Sequence, residues 1–595
     1  MRTKTLLLTL VALFGIMQAR ADVEINETNF PDAKFREYLL LHGYGSDGVF
    51  TDAEIDGIKY MTVSVYHTIT SLKGIEFFTA LESLECGSNQ LTSLDVSKNT
   101  ALTSLECSSN QLTSLAVSKN TALTYLDCSG NRLTSLDVSK NTELTRLNCS
   151  GNQLISLAVS KNTELTYLDC SGNPLTSLDV SKNTVLTELY CGSNQLTSLD
   201  LSKNTALTRL GCGGSQLTSL DVSKNTVLDE LNCMNNQLTS LDVSGCTALI
   251  HFECYANQLT SLDVSGCTAL IELCCYENQL TSLNVSGCTA LEGLYCEGNQ
   301  LTSLDVSGCK ALTHLDCYKN QLTSLEVSGC KVLDLLRCYD NQLSSLNVSK
   351  NTALTWLSCS ENQLTSLDVS KNTALTELYC GSNQLTSLDL SKNTALTWLF
   401  CSNNQLTTLD ISKNTALTNL HCDENQLISL DVSKNIVLDE LNCSNNQLTS
   451  IDVSKNTSLK SLDCSDNQLI SLDVSNNMAL LYLTCYLNQI KDNDMDALVE
   501  SLPHVLWGNL YVIWNENEGN VMTISQVATA RNMGWYPQYY DGENWQEYAG
   551  SDPSGIEELK NSKVEGLKYY DLQGRRVLNP KNGVYILNGK KVLVK

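Results

Sequence analysis

Proline is nearly missing, with 6 in 595 residues, and charged residues make up only 17% of the chain against roughly 25% in an average soluble protein. With 42% hydrophobic residues, that scarcity of proline excludes a disordered or polyproline chain. Positive charge is short as well. Lys and Arg number 39 against 65 Asp and Glu, a net charge of −26 and a pI near 4.6. This excludes a protein that neutralises a nucleic-acid backbone or coats an anionic membrane. Long apolar runs are absent beyond Leu6 to Met17, which is too short to cross ~30 Å of hydrocarbon, so no membrane span is expected. That run follows Arg2 and Lys4 and precedes Ala19-Arg20-Ala21, the plan of a secretory leader over residues 1–21 with the mature chain starting at Asp22.

What the chain does have is repetition. Cysteine falls at Cys86, Cys107, Cys128 and every twenty-first position to Cys485, which makes twenty coils over residues 81–490, typified by LTYLDCSGNRLTSLDVSKNTE from Leu123. Each coil holds two half-motifs, LxxLxCxxNx and LxxLxVxx[NC]xx, whose alternation turns Leu, Leu and Cys or Val inward along a strand-like segment. No half-coil can bury its own apolar edge, so the coils must stack, at ~4.8 Å per coil, into a parallel sheet. The Cys half, one residue shorter, is placed on the concave side and the Val half on the convex side. Three residues after each ladder cysteine stands Asn (Asn89, Asn110 and onward to Asn488), with Ser215 the one exception. A buried amide can both donate and accept, which suits a column linking successive coils. The matching position of the Val half is Asn except for Cys246, Cys267, Cys288, Cys309 and Cys330. Side chains lying side by side on in-register strands do not readily meet disulfide geometry, so free packed thiols are expected. Cys274, outward beside Cys275, is the thiol expected to be accessible.

This pattern resembles the leucine-rich repeats of the internalin J family, in which Cys takes the third apolar position of a 21-residue coil. The resemblance covers about two thirds of the chain. It implies an α/β-type repeat protein, a right-handed solenoid with a parallel β-sheet on the concave face, and a surface protein with a part in adhesion.

Both solenoid ends need covers. Residues 22–80 read as a helix-loop-helix cap and a first irregular repeat, with Asn29-Phe-Pro-Asp starting one helix and the capping box Thr51-x-x-Glu54 opening another. Gly43 to Glu54 has the outline of a calcium-binding loop, but Gly43 and Gly45 stand where carboxylates are needed, and a purely structural cap is the stronger reading. Residues 491–548 read as a small C-terminal α/β cap, 549–555 as a linker, and 556–595 as a tail with a hairpin at Asn588-Gly589. YDLQGRRV, Pro580-x-x-Gly583-x-Tyr585 and the basic last strand resemble C-terminal sorting domains of type IX secretion, in a tail shorter than usual and without the leading motif. That resemblance implies secretion and sorting machinery as partners and the outer surface of a Gram-negative cell as destination.

No arrangement for catalysis, metal or cofactor emerges. His251 and His314 are three coils apart, ~14 Å, too far for a shared metal. No phosphate loop or CxxC pair occurs, and an enzyme is not expected. The outward positions differ between halves. The Val half repeats Ser93-x-Asp95-x-Ser97 almost unchanged, whereas the Cys half varies and carries Tyr255, Tyr276, Tyr295, Tyr318, Tyr339, Trp356, Tyr379, Trp398 and Phe400. Large aromatics on one face of a rigid scaffold suit recognition. The expected function is an exported, adhesin-like protein that binds a protein or glycan ligand, host-derived in the adhesin case, through these residues. The alternative is a structural or self-associating surface protein without a specific host ligand.

Overall fold

The computed structural model describes residues 22–64, 68–515, 518–551, 556–558, 568–578, 583–587 and 590–594. The leader and the turn Asn588-Gly589 lie outside the described residues, as do Pro580 and most of the linker. The chain divides into two compact units, residues 1–310 and 311–595.

The first unit opens on the helix Ala33–Leu41, whose N-terminus is held by Asp32 accepting from the backbone of Lys34 and Phe35. The second Asp32 oxygen accepts from Thr70 and Ser71, so one carboxylate both starts the helix and ties it to the first irregular repeat. Thr51 and Glu54 form the expected capping box of the helix Asp52–Gly57. Glu54 is thus turned onto its own helix, and Asp47 accepts from the Val49 N–H, so both carboxylates of the proposed calcium outline are engaged locally. Phe30, Phe35, Phe50 and Phe78 pack beneath as the cap core.

Eleven three-residue strands follow, from Ser83–Glu85 to Gly293–Tyr295, one per coil and parallel in register, with Tyr60–Thr62 pairing ahead of them. These eleven belong to Cys halves, and Val halves of this unit add the strands Ser261–Asp263, Ser282–Asn284 and Ser303–Asp305. The second unit continues the plan with nine such strands, His314–Asp316 to Tyr482–Thr484. It then closes with Gly508–Ile513, Trp535–Tyr540 and the antiparallel Trp545–Glu547, backed by the helices Asp492–Ser501 and Ile524–Asn532. Each unit is therefore a leucine-rich-repeat-type solenoid of parallel strands with few helices. The tail forms a separate five-stranded sheet in which Gly583–Leu587 and Lys590–Val594 pair as the expected hairpin around Tyr569, Leu587 and Val592.

The core is the ladder. Leu102, Leu105, Cys107, Leu112 and Val117, with their equivalents in other coils, are buried. All 26 cysteines are free thiols, and all but Cys274 are buried. Burial lifts the ladder thiols far above their ordinary range, so they act as small apolar side chains rather than nucleophiles. Cys274 is half-buried rather than openly accessible. Burial and then Glu272 push its thiol up to about 12.

The two asparagine columns do different work. Asn110 Nδ2 donates to the carbonyls of Cys86, Cys107 and Ser108, while its Oδ1 accepts from Leu91 N at 2.9 Å; the same set recurs along the column. In the Val-half column Asn120 donates to Val96 O and Asn99 O, but the Oδ1 atoms from Asn99 to Asn477 are buried without a partner. Only a donor is used there. A thiol can supply one, as Cys288 Sγ does to Val264 O at 3.2 Å, which explains why cysteine is admitted in this column and not in the other.

The residue just before each sheet-side Asn turns the chain in a left-handed conformation, glycine at Gly130, Gly151 and Gly172 but Ala256 (φ 53°) and Glu277 (φ 51°) elsewhere. A side chain with a Cβ pays about 1 kcal/mol there. Ala256→Gly is therefore expected to raise stability by about that amount, and Gly151→Ala to lower it equally, measured by urea denaturation.

Candidate recognition surface on the strand face

The outward side of the Cys-half strands, called here the sheet face, is where the coils differ. On the second unit, Tyr318 and Tyr339 stack at 4.4 Å with planes 9° apart, and Trp356 stacks on Tyr379 at 5.6 Å. Tyr379 in turn meets Trp398 and Phe400 at 6.5 and 6.3 Å. In-register pairing sets equivalent side chains one coil apart, which produces the Tyr318–Tyr339 stack, whereas Trp356, beside Glu377, reaches Tyr379 diagonally across the two strands. Arg337 lies 5.4 Å from the Trp356 ring and donates to Asp316 at 3.1 Å. Tyr318, Arg337, Tyr339, Trp356, Ser358 and Tyr379 line a cavity of about 330 Å³. Trp356 Nε1 is buried without a partner.

On the first unit, Tyr255 stacks on Tyr276 at 4.3 Å, and Tyr295 stands at the last strand. The nine aromatic residues therefore group by unit rather than as nine separate side chains. They are also less exposed than an outward direction suggests. Trp398 is 38% exposed, and the other eight are half-buried. Sequence reasoning missed a second group on the first unit, where Arg146 sits 4.1 Å from the Tyr167 ring and Tyr167 leans on Tyr190 at 5.8 Å. Its signal was present as Tyr125, Arg146, Tyr167 and Arg209 at the first strand position, the column that also holds Trp356 and Trp398, but only the latter two were singled out.

The Val-half aspartates hold turns. Asp95, Asp200 and Asp221 each accept from the N–H two residues on, at 2.9 Å, and those backbone bonds with the serine hydroxyls keep their carboxyls below the ordinary range. Burial pushes Glu253, Asp316 and Asp463 the other way. A depressed folded pKa contributes stability above the unfolded value, near 3.8 for Asp, and loses it as pH falls through the folded value. A raised one is relieved by protonation. Melting temperature is thus expected to rise slightly from neutral to mildly acidic pH and to fall steeply below about pH 4, in a scan across that range. Among the described residues no group of three or more His, Cys, Asp or Glu could hold a metal ion, and no helix is long and apolar enough to cross a membrane.

A family profile described as Leucine Rich repeats (2 copies) matches residues 352–392. The functional domain of InlJ from Listeria monocytogenes, described as including a cysteine ladder, is 32% identical over 73% of this chain and 83% of that one, with a TM-score of 0.47. The chain belongs to the leucine-rich repeat family. Its fold is shared with the plant peptide hormone receptor RGFR1 in complex with RGF2 (20% identity, 74% of this chain and 90% of that one, TM-score 0.58). YopM from Yersinia enterocolitica matches similarly (24% identity, 71% and 88%, TM-score 0.52). No curated protein matches the chain. None of these matches is to an enzyme family.

Proposed function

We propose that this leucine-rich repeat protein is an exported, non-enzymatic binding protein of adhesin type, taking a protein or glycan ligand on its sheet face. The observation that carries the reading is the cavity of the second unit, where Tyr318, Tyr339, Trp356 and Tyr379 converge with Arg337. Stacked rings are already ordered, so a ligand that packs on them pays little side-chain entropy, and the Arg337 N–H groups are placed to orient polar atoms. The complex of RGFR1 with RGF2 supports the use of such a scaffold for protein-type ligands. The leader-like residues 1–21 and the tail resembling a type IX sorting domain support export to the outer surface of a Gram-negative cell.

The test is a screen of the whole chain against host proteins and a glycan panel, repeated with Tyr339, Trp356 and Tyr379 replaced by Ala. Each truncated anchor is expected to cost about 1–3 kcal/mol of binding. Because the rings support one another, the variant should also melt a few degrees lower, so affinity is read well below that transition. Unchanged affinity in a folded variant would remove the aromatic patch as the site. Concentration-dependent association without any ligand would favour the self-associating alternative.

A further inference from the structure

Charge is distributed unevenly around each coil of the first unit. Three outward positions per coil face out from its eleven Cys-half strands, at the first and third strand residues and just after the cysteine. Nine of these positions are Asp or Glu, two are Arg and none is Lys. The repeat lysines, Lys98, Lys119, Lys140 and their equivalents, stand on the Val half, where Lys98 helps to hold down the Asp95 carboxyl. The Val half is therefore near balance, while the sheet face carries a surplus of carboxylates. Crowding is felt at Glu253, whose carboxyl is pushed up by burial and then by Glu272 and Glu230.

The two arginines show what this face accepts. The Arg146 guanidinium lies over Tyr167 at 4.1 Å. Arg209 stands within 3.6 to 3.9 Å of carboxylates of Glu188, Asp229 and Glu230, next to Tyr190. A ring flanked by carboxylates is a seat for a guanidinium or ammonium group. Tyr125, with Glu106 and Asp127 as charged neighbours and Arg146 beside it on the next strand, belongs to the same group. Between these seats the glycines are covered by neighbours, Gly211 by the Tyr190 ring and Gly213 by Asn232 and Met234, so the contacts open to a partner are side chains rather than backbone.

We infer that the sheet face of the first unit is a docking surface for a basic polypeptide, its Arg and Lys side chains entering between the tyrosines and carboxylates. This surface is separate from the aromatic cavity of the second unit and does not depend on it. The carboxylates steer encounter and set specificity, and the contact should weaken with salt as exposed charges are screened.

The experiment uses the whole chain and a short peptide of alternating arginine and serine, with a glutamate–serine peptide as control. Binding to the arginine peptide is expected at low salt and should fall at least about tenfold at high salt. A variant with Glu85→Gln, Glu188→Gln, Glu230→Gln and Glu272→Gln should bind about tenfold more weakly. A second variant removes the same charge from the Val half through Asp179→Asn, Asp200→Asn, Asp221→Asn and Asp242→Asn. It keeps the turns, since Asn284 already accepts from Ser286 N in that role, and should bind as the parent does. Arg146→Gln and Arg209→Gln, which vacate the occupied seats, should tighten binding. Equal losses in the two charge variants would show that net charge alone attracts the peptide and would overturn the proposal. So would the absence of binding at low salt, or no gain from the arginine variants.

Discussion

Asn110→Cys is expected to destabilise the protein by about 3–5 kcal/mol, while Asn120→Cys, ten residues further on and buried even more completely, should change it by less than about 1 kcal/mol. The amide of Asn110 serves four backbone groups, and a thiol cannot accept from Leu91 N or reach three carbonyls at once. The amide of Asn120 only donates, and its Oδ1 is already a buried orphan, so a thiol gives up little and removes a polar atom with no partner. The natural exception supplies the reverse test. Ser215 stands where the ladder needs an amide, and its Oγ is buried without a partner. Ser215→Asn should restore the missing rung and stabilise the first unit by about 1–3 kcal/mol. Urea unfolding of the three variants against the parent checks all of these at once. Equal effects of the two cysteine variants would mean that the columns are interchangeable.

The second large effect contrasts neighbours on one strand. Leu357 is fully buried in the stack of the second unit, and Leu357→Ser should cost about 4 kcal/mol or more, because a cavity opens and a hydroxyl enters an apolar core. Trp356→Ser removes the Tyr379 stack and the Arg337 contact from a half-buried position, which should cost only about 1–2 kcal/mol. In a repeat array each coil is held by its neighbours, so the Leu357 variant is expected to unfold locally first, and hydrogen exchange of residues 335–379 should show it. If both variants melt alike, the aromatic column is part of the core rather than a surface laid over it.

Much of the architecture was legible because the period is so regular. Leu, Leu and Cys at fixed spacing can satisfy their burial only by stacking, and the strand positions follow from that alone. The capping box at Thr51 and Glu54 and the hairpin strands of the tail were also readable, since each depends on residues close in the chain. The candidate surface was legible in composition but not in form. Equivalent residues are 21 positions apart in sequence, and only the pairing of neighbouring coils brings Tyr318 onto its equivalent Tyr339, or Trp356 diagonally onto Tyr379, 23 positions on. The grouping with Arg146 and Tyr167 was hidden for the same reason: a cation over a ring is a relation between coils, not within one.

By itself, then, the sequence determined the repeat, the buried columns and the side of each coil on which variation collects, because hydrophobic burial and a strict period leave one arrangement. Tertiary structure alone decided why one asparagine column excludes cysteine while the other admits it. It also decided which side chains lean on each other and how much of each ring stays exposed. Those outcomes depend on where carbonyls, N–H groups and rings of the neighbouring coil lie, and nothing within a single repeat specifies that.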